Sequence, residues 1–144
     1  MKTGKTSSFS WEHIKNFCET LTEAEDRLTR EMVSRISDKW SLWTMSVIAE
    51  SGQPMRFSRI MEQVEDISQK SLTKTLRGLE RNGLITRKVF AEVPPRVEYT
   101  VTALGRDMLD NVAPLWLWTA KSVQRFQECR STFDRRELRP GKNN

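Results

Sequence analysis

The stretch Ile67–Gly105, ISQKSLTKTLRGLERNGLITRKVFAEVPPRVEYTVTALG, decides the fold. Ser68 can cap a helix, its hydroxyl accepting from a free backbone N–H of the first turn, with apolar Ile67 just before it. Leu72, Leu76 and Leu79 recur at i, i+4 and i+7, so one face of that helix is buried. Gln69, Lys70, Thr73, Lys74, Arg77 and Arg81 fall on the other side. Asn82-Gly83 ends the helix, since Gly accepts the left-handed conformation at low cost. A hairpin follows. In RVEYTVT, Val97, Tyr99 and Val101 share one face and Arg96, Glu98 and Thr100 the other, whereas the preceding LITRKVF alternates less cleanly. Pro94 and Pro95 donate no ladder hydrogen bonds, so they belong near the turn, where they stiffen the loop that presents Arg96.

The charge is concentrated in the same stretch. The 144 residues carry a net charge of +5 and a pI near 9.5, a balance that favours an acidic partner. From Ser68 to Val97 there are seven Lys/Arg against two acids, whereas Glu19–Met32 holds five acids against two arginines. Hydrophobic residues make up 37%, with 5 Trp and 6 Phe, enough for the core of one ordinary domain. The two cysteines, Cys18 and Cys129, form neither a disulfide framework nor a zinc spacing, and the one histidine, His13, adds no metal site. The N-terminus lacks the apolar run of a secretory signal, and no segment has the ~20 apolar residues of a membrane helix. The expectation is a cytoplasmic protein with reduced thiols, no cofactor and no membrane partner. No acid–base pair, nucleophile constellation or phosphate loop is present, so no enzyme is expected.

Outward from the central stretch the pattern is helical. WEHIKNFCETL is amphipathic. Thr22 and Glu25 fit a capping box for a helix to about Ile36, with Leu28, Met32 and Ile36 on one face. Asp38 caps KWSLWTMSVIAE, whose stripe is Trp40, Trp43, Val47 and Ile48; Gly52 and Pro54 close it. MRF fits a short strand. Ser58 is read as the cap of RIMEQVE, with Ile60, Met61 and Val64 inward. Thr102 caps the last helix, where Leu104, Met108, Val112, Leu115, Thr119, Val123 and Phe126 step by three and four. Pro114 is expected to kink it.

Helix, strand, helix, helix and a two-stranded ribbon is the order of a winged helix-turn-helix, mainly α with a small β hairpin. In that fold Ser68–Asn82 is the recognition helix, which fits the DNA major groove. Its cations neutralise phosphates and release counterions. Gln69, Thr73 and Arg77 can hydrogen-bond base edges.

The motifs make the resemblance specific. Lys39-Trp40, Arg56-Phe57 with Ile60, Ile67-Ser68 with Leu72, Leu76-Leu79-Glu80 with Gly83-Leu84, and above all Glu92-Val93-Pro94-Pro95-Arg96-Val97-Glu98-Tyr99 with Thr102 and Leu104-Gly105 resemble the HxlR-type bacterial transcription regulators over about residues 38–118. The resemblance implies a homodimeric DNA binder controlled by a small molecule or an oxidant. It implies one domain over 11–130, with the winged core at about 38–104 and dimerisation helices at about 11–36 and 103–130. A disordered tail at 1–10 and a flexible basic tail at 131–144 flank it. DNA contacts then fall to Ser68, Gln69, Lys70, Thr73, Lys74 and Arg77 of the helix and to Arg87, Lys88, Pro94, Pro95 and Arg96 of the wing. Leu28, Met32, Val112, Leu115, Trp116, Thr119, Val123 and Phe126 are the dimer candidates. Ser37 and Asp38 stand where the family usually has two glycines, and Asp26 falls near the position where many members have a cysteine.

Other readings stay open. The basic face could meet an acidic protein, or bind DNA without sequence preference. Trp40, Trp43 and Trp116 could line an aromatic ligand pocket, although such stripes are more often core or interface. Cys18 and Cys129 are the redox candidates; a reactive thiolate needs a cationic neighbour or a helix N-terminus.

Overall fold

The structure, a computed structural model, describes residues 10–138. The sequence readings on 1–9 and 139–144 lie outside the described residues. The elements run α1 (Trp11–Cys18), α2 (Glu23–Ile36), α3 (Lys39–Glu50), β1 (Met55–Arg56), α4 (Phe57–Gln63), α5 (Gln69–Arg81), β2 (Ile85–Phe90), β3 (Arg96–Val101), α6 (Ala103–Lys121) and α7 (Val123–Glu137). The three strands form one antiparallel sheet in the order β1-β3-β2. Met55 lies opposite Tyr99, and Ile85 opposite Val101, so the short strand before α4 closes the open side of the hairpin.

Most helix starts are built by the residues that the sequence marks. Thr22 and Glu25 make the full capping box, with the Thr22 N–H donating to Glu25 at 2.7 Å. The Thr22 hydroxyl, and then its N–H, hold the Glu25 carboxyl below its usual value. Asp38 accepts from the Ser41 N–H at 3.0 Å, Ser68 from the Ser71 N–H at 3.1 Å, and Thr102 from the Gly105 N–H at 3.0 Å. Helix α5 stops with both bonds of a Schellman motif: the Leu84 N–H donates to Leu79 O and the Gly83 N–H to Glu80 O, each at 3.0 Å. Gly83 takes φ +70°, and buried Leu84 joins buried Leu79 across the stop.

The core sits where α3, α4 and α5 meet the sheet. Met45, Ile60, Leu72, Leu76, Leu79 and Ile85 are at most 1% exposed, and Tyr99 and Val101 face the same core. Val97 and partly buried Met32, Trp40 and Met108 pack around it.

Five sequence readings are corrected. Helix α4 starts at Phe57 with Arg56 at its cap position and no side-chain cap, so Ser58 lies inside the helix. Met61 is exposed, because Ile60 and Val64, four apart, already take the buried face. Trp43 is 41% exposed; Thr44, Met45 and Ile48 fill the core side of α3 in its place. The last helix is not one segment to Phe126: α6 continues past Pro114 to Lys121, and the break comes at Ser122. There the Ser122 N–H is shared between Trp118 O and Thr119 O, which tightens the last turn. Finally, 131–137 is not a flexible tail but the end of α7; Arg135, Arg136 and Glu137 are good helix formers, and polarity alone does not argue against a helix. No helix among the described residues is long and apolar enough to cross a membrane.

Gly105 is buried at the start of α6 with no room for a side chain. A Cβ there would collide with the Leu84 carbonyl oxygen and approach Val101 Cγ1 at 2.8 Å and Met45 Cε at 2.9 Å. Gly105→Ala is expected to destabilise the fold by about 1–3 kcal/mol, the range for overpacking, as read by urea unfolding. A variant as stable as the parent would mean that α6 is free to shift away from β2.

Candidate nucleic-acid interface

Helix α5 is amphipathic around its circumference. Leu72, Thr75, Leu76 and Leu79 are buried, while Gln69, Lys70, Thr73, Lys74, Arg77 and Arg81 are exposed on the opposite side. Burial of the three leucines, worth ~1.5–3 kcal/mol each, fixes the rotation of the helix about its axis. That rotation aims the polar side chains outward as a set. Ser68 sits at the helix start, where its hydroxyl caps the Ser71 N–H and donates to Ser71 Oγ at 2.9 Å. Thr73 Oγ1 donates to Gln69 O at 2.8 Å, so the hydroxyl presents only its lone pairs outward.

Among the described residues, none of the cations on this face is in an ion pair, whereas several on other elements are. Lys15, Arg27, Arg30, Arg35, Arg59 and Arg136 each pair with a carboxylate three or four residues away or adjacent. Among the described residues, Lys70, Lys74, Arg77 and Arg81 on α5 and Arg87 and Lys88 on β2 have no such partner. These cations point to water, with Lys88 also over the Phe90 ring at 4.8 Å. Unpaired cations on one helix and on the adjoining strand give this face a positive potential.

Arg96 differs from the other wing cations. Its Nη2 donates to Glu92 at 2.8 Å and its Nη1 to Glu98 at 3.0 Å, the guanidinium lies 3.9 Å from the Phe90 ring centre, and its side chain is only 27% exposed. It is a clamp across the hairpin, with both Nη groups committed to carboxylates. Arg96 and Glu98 share a strand face in the alternation, so that half was visible in the sequence. The return of Glu92 across the turn was not. Val93, Pro94 and Pro95 form the exposed tip.

A second contact missed by sequence reasoning joins α2 to α5. The Arg35 guanidinium lies against Gly78, so close that any side chain there would collide with it, and Arg35 also pairs with Glu31 at 3.7 Å. No periodicity argument connects these two positions.

The remaining candidates fall into three places. Trp43 and Trp116 line one groove between α3 and α6; Trp40 is not part of it, because it packs on the core with Lys39 Nζ 4.1 Å from its ring. Leu28, Leu115, Trp116, Thr119, Val123 and Phe126 are exposed, whereas Met32 packs on the core and Val112 turns into the groove. Trp116 and Trp118 diverge: Trp118 meets Phe126 edge-to-face at 5.8 Å, across the α6–α7 break. Cys18 is half-buried and Cys129 exposed, both as free thiols. The cation near Cys18 is Arg30, whose guanidinium is held above its usual value chiefly by the Asp26 hydrogen bond and slightly by Cys18. Lys15, its neighbour in sequence, turns to Glu19.

A helix-turn-helix formed by α4 and α5, with the β2–β3 hairpin as its wing, defines the winged helix-turn-helix class. The family described as HxlR-like helix-turn-helix matches residues 35–127, and the chain belongs to it. A protein of Methanothermobacter thermautotrophicus named as an uncharacterised HTH-type transcriptional regulator is 40% identical over 86 residues, 60% of this chain and just under two-thirds, 64%, of its own length. The solved structure of the transcriptional regulator ytfH from Salmonella typhimurium superposes with a TM-score of 0.62 at 29% identity, covering 72% of this chain and 90% of that one. The reduced form of the transcriptional regulator YodB from Bacillus subtilis gives a TM-score of 0.56 at 30% identity, over 62% and 86% of the two chains. YodB has also been solved after diamide treatment.

The clamp and the free cations are expected to respond differently to mutation. Arg87→Ala should reduce the salt dependence of DNA binding by about one phosphate contact and leave the melting temperature unchanged. Arg96→Ala should lower melting temperature and DNA affinity together. Unchanged thermal stability in Arg96→Ala would show that Arg96 is not a structural clamp.

Proposed function

We propose that this protein is a homodimeric transcription regulator that binds a pseudo-palindromic DNA operator under the control of a small-molecule or oxidant signal. The observation that carries the reading is the set of unpaired cations on α5 and β2, in a chain whose other described arginines outside α6 and α7 are largely paired. Helix α5 enters the major groove. Lys70 and Lys74 meet phosphates, Gln69, Thr73 and Arg77 read base edges, and Arg87 and Lys88 of the wing follow the backbone. Ser68 fixes the start of the helix against the duplex. Pro94 and Pro95 shape the wing tip, and Arg96 keeps the hairpin rigid.

Dimerisation is supported by the apolar side chains left in water. Leu115, Trp116, Leu117 and Trp118 are each more than half exposed, and with Leu28, Val123 and Phe126 they extend over α2, α6 and α7. So large an apolar surface on one chain is typical of a subunit interface. Two-fold symmetry then places the two recognition helices in successive major grooves, with half-sites about one turn apart, ~10 bp. An oxidant signal would act through Cys18, which has Arg30 near it, or through exposed Cys129.

Selection from random DNA with the purified protein, followed by salt titration, tests the operator. A palindromic winner preferred ~10³-fold or more over scrambled DNA is expected; equal binding to all sequences would establish nonspecific binding instead, and no binding to any would favour a protein partner. Lys74→Ala is expected to weaken binding to every sequence, whereas Arg77→Ala and Gln69→Ala should also relax sequence preference. Equal losses on specific and random DNA would remove Arg77 and Gln69 as readers. Sedimentation should give twice the chain mass, and Leu115→Glu with Trp118→Glu should give the monomer.

A further inference from the structure

The groove between α3 and α6 has a volume of about 660 Å³, within the ~300–1,000 Å³ range of small-molecule sites. Trp43 and Val47 of α3 face Leu109, Val112, Trp116 and Leu117 of α6 across it. Of all the lining residues one is ionisable, Glu50. We propose that this groove binds a lipophilic organic cation, and that this class of compound is the small-molecule signal of the regulator proposed above.

Three features of the groove favour positive charge. Two indole rings line it, both substantially exposed, and the face of an indole attracts a cation. Among the described residues, the Glu50 carboxylate takes part in no ion pair or side-chain hydrogen bond. Glu50 is also the last residue of α3, where the carbonyl end of the helix carries partial negative charge. An anion would meet no lysine or arginine in this lining. A neutral apolar compound would bury its own surface but strip water from Glu50 without replacing it, which is unfavourable.

The position of the groove also connects it to DNA reading. One wall, α3, packs on α5 and β3. The other, α6, begins at Thr102, whose hydroxyl donates to Gly83 O at 2.6 Å, just beyond the end of α5. A ligand that spreads α3 from α6 therefore acts on both supports of the recognition helix.

The test uses the full chain and two compounds of similar shape, the cation methyltriphenylphosphonium and neutral triphenylphosphine oxide. Isothermal titration should show saturable binding of the cation, with a preference of about tenfold or more over the neutral compound. Glu50→Gln should erase that preference, while Trp116→Phe, which keeps an aromatic face, should retain more affinity than Trp116→Ala. Circular dichroism melts establish that each variant is folded, and Glu50, being exposed, can be changed without touching the core. Equal affinity for the two compounds, or a preference unchanged in Glu50→Gln, overturns the cation assignment. No saturable binding to the dimer overturns the site. Operator binding is measured on the same preparation without either compound, so loss of this inference is distinguishable from loss of the DNA-binding reading.

Discussion

The burial of one edge of α5 is the constraint on which the rest depends. Leu72, Leu76 and Leu79 are at most 1% exposed, and they lock the helix against α3 and the sheet. A helix so held cannot roll, so the direction of every other side chain on it is decided by the same contact. The polar face carries no compensating carboxylates apart from Glu80, and the ion pairs of the molecule lie on other elements. Packing on one side thus produces an ordered electrostatic surface on the other.

The end of α5 is where separate parts of the fold are tied together. The Schellman bonds turn the chain at Gly83, the Thr102 hydroxyl takes hold of the Gly83 carbonyl, and Gly105 lies against the Leu84 carbonyl. The recognition helix, the first wing strand and the first turn of α6 meet within these few residues. On the opposite flank, Arg35 brings α2 against α5 at Gly78. One flanking helix, α2, therefore touches the recognition helix directly, and the other, α6, holds the residues just beyond its end. Close-packed contacts of this kind transmit displacement instead of absorbing it. A change in how α2 or α6 is seated must be felt by α5.

Much of this was legible in the sequence because the signals are local. Caps at Thr22, Asp38, Ser68 and Thr102 work through atoms three residues apart, Gly83 through its own backbone, and the β3 alternation through adjacent residues. The readings that failed were those in which competing candidates lie close together along the chain. Ser58 is a good cap residue, yet β1 pairing of Met55 and Arg56 with β3 sets where α4 begins. Trp43 and Met61 look like core, yet smaller or better-placed neighbours fill the inward positions. The Glu92 partner of Arg96 is a different case, since the turn between them sets that contact.

The sequence by itself determined the element order, the chemistry of the recognition face and the family motifs of the wing, because periodicity, capping and charge act over three or four residues. Tertiary structure alone decided which tryptophans leave the core to form a groove and that Arg35 rests on Gly78. Both depend on residues far apart in the chain being brought within a few ångströms, and no local pattern encodes such a meeting.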